Sequence, residues 1–246
     1  MSLVVTFTDF GRGALYRGQM EAAIYRYAPA VRVIELSSDA PRFDPYLASF
    51  LLAASINNFP HQAVFLAVVD PEVGSPVRKP VVIDAEGVLF VGPDVGLPDV
   101  YLNQKRLRAS VREIEFRPEQ LSSSFHGRDL FAPVAARLAS SGRCPDGWLG
   151  SSRRYQPKHS ECDVAKVIYI DDFGNVMTGL RAAQIPETAR LTINDVTLVN
   201  ARTFCEVEPE EGFWYENSMG LVEVAINRGS AAQAYNVSLG DSIAIS

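Results

Sequence analysis

The chain has 246 residues, of which 47% are hydrophobic and 21% charged, so there is ample apolar surface for a core and disorder as the main state is excluded. Its 23 basic and 29 acidic residues leave a formal net charge of −6, without the basic footprint of a generic nucleic-acid binder. The length fits one large domain or two unequal ones.

The first part of the chain alternates between two periods. LVVTFTDF (3–10) is a β-rich run ending in an acidic residue, and RGALYRGQMEAAIYRYA (12–28) follows with Leu15, Tyr16, Met20, Ala23, Ile24 and Tyr27 at helical spacing. VRVIEL (31–36) reads as a second strand, and DPYLASFLLAASI (44–56) as a buried helix, apolar nearly all round. AVFLAVVD (63–70) is a continuous apolar strand of the kind that fills the centre of a parallel sheet. VVIDA and VLFVGPD are split by Glu86-Gly87, a hairpin turn, and VREIEF is a further strand. FHGRDLFAPVAARLASS (125–141) reads as a helix started or interrupted near Pro133. Strand–helix alternation of this kind predicts an α/β domain with a largely parallel sheet over 1–150.

SSRRYQPKHSEC is polar and aperiodic, which marks a linker over 151–163. Beyond it come short β-type runs with turn signals at Asn194-Asp195 and Asn217-Ser218 and no helix of length. A smaller all-β barrel or sandwich is expected over 164–246. The three cysteines, Cys144, Cys162 and Cys205, form no CxxC pair, which argues against a disulfide framework or thiolate zinc site and for a reducing cytoplasm. The longest apolar stretch, 47–56, is broken by Ser49 and Ser55 and falls short of the ~20 residues of a membrane span. The start MSLVVTFTDF shows no basic residue ahead of an apolar run, so no secretory leader is expected.

In open α/β sheets ligands bind beyond the carboxyl ends of the strands. Asp9, Asp70 and Asp94 fall at such ends, each ahead of a Gly- or Pro-containing turn. One such residue is as often a helix or turn cap; three together point to a shared cleft. His126 opens a helix beside a glycine, close to Arg128 and Asp129, where backbone N–H groups are free; the plainer reading is a first-turn residue behind a Ser124 cap. His61 and His159 sit in polar loops and read as exposed. DPEVGSPVRKP (70–80) reads as a rigid loop carrying Asp70 and Arg78, either a functional loop or a surface ion pair. IDDFGNVMTGL (170–180) is a β-turn-β unit that crowds Asp171, Asp172 and Phe173 on one side of Gly174 and Asn175. No Walker loop, GxGxxG, HExxH or GxSxG occurs.

Together TFTDFG (6–11), YRGQM (16–20), VVDPEVGS (68–75), GPDVGL (92–97), SSFHGRDLFAPVAA (123–136), DDFGN (171–175) and NSMGLVEVAINRGSA (217–231) resemble the S-adenosyl-L-methionine (SAM) hydroxide adenosyltransferases, relatives of the halide-using fluorinase and chlorinase. The motifs run in family order from residue 6 to 231, and FHGRD with FAP, and D-x-FGN, are the most specific. The resemblance implies an N-terminal α/β domain, a C-terminal β-barrel and a homotrimer whose sites lie between subunits. It implies attack of water or hydroxide on C5′ of the ribose, releasing methionine and adenosine, with SAM the substrate rather than a cofactor; no metal and no membrane partner are expected. It places catalysis on Asp70, Arg78 and His126. It places ribose contacts on Asp9 and Phe43, the methionine ends on Asp171 and Ser218, and the adenine on Asn175, Phe173 and Phe204. Glu72 stands where the family usually has glycine, Val95 where PDNG has asparagine, and Ala14 where an acidic residue is common. The Asp70–Arg78 spacing is also slightly longer than usual. Two alternatives are a non-catalytic binder of SAM or adenosine, and a halogenase, which a carboxylate at the nucleophile site disfavours by repelling halide.

Overall fold

A computed structural model describes residues 2–13, 15–72, 75 and 77–246; Ala14, and Val73, Gly74 and Pro76 of the 70–80 loop, lie outside the described residues. The chain divides into two compact units, Met1–Leu52 with Ile56–Ser160, and Ala53–Ser55 with Glu161–Ser246.

The first unit runs β1 (Leu3–Thr8), α1 (Leu15–Tyr27), β2 (Arg32–Ser37), α2 (Pro45–Ile56), β3 (Val64–Val68), β4 (Pro80–Ala85), β5 (Val88–Pro93), α3 (Asp99–Lys105), β6 (Ser110–Glu113), a π-turn at Gly127–Phe131, α4 (Ala132–Ser141) and β7 (Arg153–Arg154). These strands form one sheet in the order β2-β1-β3-β5-β4-β6-β7. The β2-β1-β3-β5 half is parallel, and β4, β6 and β7 join antiparallel. Every residue of β1 and β3 is buried, as continuous apolar strands require when both faces of a sheet are covered. Val4, Val64, Leu66 and Val68 pack on one face against Met20, Ala23 and Ile24 of α1 and Ala132, Val134 and Ala135 of α4. Elsewhere in the unit Phe65 stacks on Phe90 and Phe90 meets Tyr101 of α3. Gly92 lets β5 approach β3, since a Cβ there would stand 2.0 Å from the Ala67 carbonyl oxygen. The chain leaves β1 to build β2 on one side and then β3 on the other. The β1/β3 boundary is therefore the topological switch point, where ligands gather in such sheets.

The structure adds detail at three segments. The 125–141 helix is a π-turn followed by an α-helix that starts at Ala132, with Pro133 in its first turn. The short helix α3 lies behind Pro98 in a stretch without a strong helical pattern. The 151–163 segment is largely built into the first unit. Arg153 and Arg154 pair with β6, Tyr155 is buried, and its hydroxyl donates to Asp99 at 2.8 Å.

The second unit contains β8 (Val164–Ile170), β9 (Val176–Arg181), β10 (Leu191–Ile193), β11 (Val196–Leu198), β12 (Gly212–Glu216), β13 (Leu221–Ile226), a four-residue α5 (Ala231–Ala234) and β14 (Ala244–Ile245). The strands form two sheets, β12-β13-β9-β8 and β11-β10-β14, with antiparallel pairings. Isolated bridges join Lys166 of β8 to Ser242 and Asn200 to Trp214 of β12, so the pairing runs round in a closed order. One core fills it, including Val167, Val176, Ile193, Trp214, Val222 and Val224. The Asn194-Asp195 turn joins β10 to β11 with both residues at positive φ (44° and 67°), as a two-residue hairpin requires. Cys144, Cys162 and Cys205 take part in no disulfide. No helix among the described residues is long and apolar enough to cross a membrane.

Candidate active site

Asp9 and Asp70 follow β1 and β3 and so flank the switch point. Asp9 is held by the loop after β2, and Asp70 by its own loop. Asp9 Oδ2 accepts the backbone N–H of Phe43 at 3.1 Å, which fixes Phe43 in the left-handed region (φ 58°) with its ring 72% exposed. Burial pushes the Asp9 carboxyl above the usual range, against the hydrogen bond from Phe43 and the charge of Arg42, and the negative charge of Asp70 adds to the rise. Asp70 Oδ1 accepts the backbone N–H of Glu72 at 3.0 Å. The Asp70 side chain is only 4% exposed and faces Arg78 Nε at 3.7 Å. Arg78 places Nη2 on Glu72 Oε2 at 2.7 Å, while its buried Nε makes no hydrogen bond to any described residue. The extra carboxylate at Glu72 is thus turned onto the arginine.

His126 reaches the same neighbourhood through aromatic packing. Phe10, next to Asp9, packs edge-on against Phe125, next to His126, with ring centroids 5.8 Å apart, and Tyr16 closes the cluster against both. Such edge-to-face pairs add roughly 0.5–1.5 kcal/mol beyond area burial. Gly127 begins the π-turn, and a Cβ there would lie 3.1 Å from Phe125 and 3.5 Å from Phe10. Irregular π-turns of this kind recur at functional sites. Burial lowers the His126 imidazole below its ordinary value and the positive Arg117 adds to this; Asp129 and Asp70 pull the other way. The neutral ring, able to accept a proton, is therefore favoured near pH 7. Arg128 turns to Asp129, with Nε to Oδ1 at 2.6 Å and Nη2 to Oδ2 at 2.9 Å, and to Gln19.

Asp94 is not an open carboxylate. Lys158 Nζ pairs with its Oδ1 at 3.1 Å. His61 is exposed, as read, but His159 is not: its ring packs edge-on against Tyr46 at 4.9 Å and its Nε2 is buried. Both departures have one cause. The backbone N–H groups of Lys158 and His159 bind Asp99 Oδ2 at 2.6 and 3.2 Å, folding the segment back onto the start of α3.

In the second unit, Asp171 organises its own turn. Its Oδ1 accepts the N–H groups of Phe173 and Asn175 at 2.9 and 2.8 Å, and its Oδ2 accepts Asn175 Nδ2 at 3.0 Å. Gly174 (φ 81°) is required because a Cβ would stand 1.9 Å from Ser230 Oγ. Phe173, Asn175 and Phe204 line one cavity of about 490 Å³ with Ile226, Arg228 and Gly229. Phe173 is 79% exposed, and Phe204 packs edge-on against Phe213 and Tyr215. Ser218 lines a different hollow, of about 510 Å³, with Asn217, Trp214 and Arg202. The structure therefore groups Asp9, Phe43, Asp70, Arg78 and His126 in the first unit, and Phe173, Asn175 and Phe204 around one cavity in the second. Arg42, Arg117 and Arg228 are the additional charges sequence reading did not single out; no local pattern distinguishes them from surface arginines.

The sheet unit carries two aspartates, an arginine and a histidine beyond the carboxyl ends of its strands, and the barrel unit carries an aromatic cavity of its own, which defines a two-domain protein of an α/β unit followed by a β-barrel unit. The chain belongs to the SAM hydroxide adenosyltransferase family: residues 4–146 match the model of that family's N-terminal domain and residues 165–244 that of its C-terminal domain. It is 33% identical to the (R)-S-adenosyl-L-methionine hydrolase of Salinispora arenicola over 97% of this chain and 95% of the relative. It is 32% identical to the enzyme of the same name from Thermus thermophilus over 98% of each chain. The crystal structure of an uncharacterized conserved protein from Thermotoga maritima aligns with a TM-score of 0.86 at 30% identity, covering 99% of this chain and 100% of the other.

Proposed function

We propose that the protein hydrolyses SAM to adenosine and L-methionine. Water attacks C5′ of the ribose, the O–C5′ bond forms as the C5′–S bond breaks, the sulfonium takes the bonding pair and leaves as the neutral thioether of methionine, and one proton is released. A sulfonium is already a good leaving group, so no general acid and no cofactor are needed, and the demand falls on the nucleophile. The observation that supports this reading is the Asp70 carboxylate at the end of β3, 3.7 Å from Arg78 Nε and within electrostatic reach of His126. Asp70 orients the water through Oδ2, the oxygen not used by Glu72 N–H. Arg78 stabilises developing hydroxide character. His126, favoured as the neutral ring, accepts the proton.

Asp9 and Phe43 hold the ribose, Phe173, Asn175 and Phe204 the adenine, and Asp171 and Ser218 the amino-acid end. The ribose set belongs to the sheet unit and the other two to the barrel unit. We take the working form to be a homotrimer with each site shared between subunits, as the family resemblance implies, in the cytoplasm. A carboxylate at the nucleophile position argues against a halide-using reaction, and a full set of proton-handling groups argues against a mere binder.

Purified protein incubated with SAM should release adenosine and methionine in equal amounts, and His126→Ala should abolish most of it. Tight binding without product over hours would overturn the hydrolase reading in favour of a binder, and 5′-halo-adenosine formed with chloride or fluoride would overturn it in favour of a halogenase. Sedimentation of a monomer would overturn the trimer.

A further inference from the structure

Glu223 lies in the middle of β13 and is 2% exposed. Its neighbours Val222 and Val224 enter the barrel core, so the period of the strand turns Glu223 to the opposite face. Both carboxylate oxygens are bound there. Tyr215, its direct partner across the β12–β13 ladder, donates its hydroxyl to Oε1 at 2.5 Å, and Asn217 donates Nδ2 to Oε2 at 2.8 Å.

Each donor leads to a different part of the substrate-facing surface. Asn217 Oδ1 accepts the backbone N–H groups of Met219 and Leu221 at 2.9 and 3.0 Å, so this side chain ties the loop that displays Ser218 to the carboxylate. The Tyr215 ring packs against Phe204 at 5.5 Å and against Phe213 at 5.4 Å, and Phe204 is a wall of the aromatic cavity. Asp171 lies within electrostatic reach of both Glu223 and Tyr215 and contributes to raising both, after burial. A buried carboxylate is costly unless fully hydrogen-bonded. An alternating strand would hold its fold equally well with an apolar residue at this position, so packing alone does not account for an acid there.

We propose that Glu223 is a positioning residue for the substrate half-site of the barrel unit: through Asn217 it sets the Ser218 loop at the amino-acid end, and through Tyr215 it sets Phe204 at the base end. This rests on the SAM hydrolase reading. It assigns one buried group to two subsites that line separate hollows.

The test uses the full-length protein with three variants: Glu223→Gln, Tyr215→Phe and Asn217→Ala. Glutamine keeps the shape but offers one acceptor oxygen where two donors point. Its KM for SAM should rise about tenfold or more, the effect of losing a hydrogen bond to a charged group, with kcat falling less than about threefold because Asp70, Arg78 and His126 lie in the other unit. Calorimetry with each product separately should show Tyr215→Phe weakening adenosine, Asn217→Ala weakening methionine, and Glu223→Gln weakening both. Adding Tyr215→Phe to Glu223→Gln should cost adenosine affinity less than the two single effects summed, since they break one linkage. A merely structural carboxylate would lower the melting temperature and leave KM and both affinities within twofold, which overturns the proposal. If Glu223→Gln does not fold, the separate effects of Tyr215→Phe and Asn217→Ala decide. Wild-type turnover tests the hydrolase reading by itself. Should the wild type bind adenosine without turning SAM over, that reading fails while the ratio of affinities still judges Glu223; no binding of either product would overturn both.

Discussion

Arg78 is held more closely by Glu72 than by Asp70: Nη2 meets the Glu72 carboxylate at 2.7 Å, whereas the Asp70 carboxylate stands 3.7 Å from Nε. Glu72 is 55% exposed at its side chain and Arg78 29%, so water screens this pair, and exposed pairs contribute roughly 0–1 kcal/mol. Glu72→Gln is therefore expected to change kcat for adenosine release by less than about threefold. Arg78→Ala removes the cation beside the nucleophile and should lower kcat by roughly 10²-fold or more, as loss of an oxyanion-stabilising group does elsewhere. Equal losses in the two variants would show that Glu72 is part of the reacting centre.

The pH dependence follows from His126. Its imidazole lies below the ordinary value of 6.5, chiefly through burial and then through the positive charge of Arg117. As a base it works when neutral, so kcat should fall as pH drops through a midpoint below 6.5, and His126→Asn should remove that limb while lowering the plateau about 10²–10⁴-fold. Arg117→Gln removes one of the causes holding the value down. The midpoint should then move to higher pH, and a midpoint that stays in place or moves down would refute the assignment of the limb to His126.

The sheet unit was readable because β1 and β3 are continuous apolar runs; α1 was read from spacing that holds only in part, since Met20, Ala23 and Ile24 are buried while Leu15 and Tyr16 are exposed. The hairpin turns at Glu86-Gly87 and Asn194-Asp195 were readable because positive φ at both positions restricts the residues used. What the chain does over long separations was not readable. The polar run at 151–163 looks like a linker until Asp99, some 56 residues earlier, is seen to collect Tyr155, and Lys158 and His159 beyond it. The same fold-back puts Lys158 on Asp94. Glu223 is hidden for a different reason. A lone acid in LVEVAI reads as a solvent-facing strand residue, and only the cross-strand register with Tyr215 reveals the acid as buried and bound. Motif resemblance supplied the roles of Asp70, Arg78 and His126, which spacing alone left open.

Phe43 separates stability from binding. Its φ of 58° lies in the left-handed region, held by the hydrogen bond from its N–H to Asp9. The strain for a non-glycine residue is roughly 1–2 kcal/mol, and glycine would relieve it while costing about 0.5–1 kcal/mol in unfolded-chain entropy. With the ring 72% exposed, little packing is lost. Phe43→Gly should therefore leave stability unchanged or raise it by up to about 1 kcal/mol in denaturant melts, while KM for SAM rises. Asp9→Ala releases the same loop and should raise KM as well, and it should cost about 1 kcal/mol of stability through the lost hydrogen bond. A Phe43→Gly variant with unaltered KM would mean that the ring does not touch the ribose.

Asp99 gives a prediction on stability that carries its own sign. The residue is fully buried, with Oδ1 bound by the Tyr155 hydroxyl at 2.8 Å and Oδ2 by the N–H groups of Lys158 and His159. Tyr155→Phe takes one donor from a buried carboxylate and should cost roughly 1.5–3 kcal/mol. Asp99→Ala strands three donors at once and should cost more, about 3–5 kcal/mol. Desolvation outweighs these hydrogen bonds and raises the Asp99 carboxyl above the ordinary value of 3.8. Between that value and the elevated folded one, the native state holds more protons than the unfolded state. Stability contributed by this group is therefore complete below 3.8 and is lost as pH rises through the folded value. Asp99→Asn cannot titrate, so the wild type should gain on it as pH is lowered through that window, and lose ground above it. Urea melts of the two proteins at a series of acidic pH values measure the difference. A wild type that instead loses stability relative to Asp99→Asn on acidification would show that the three hydrogen bonds outweigh burial and that Asp99 is held as a strong acid.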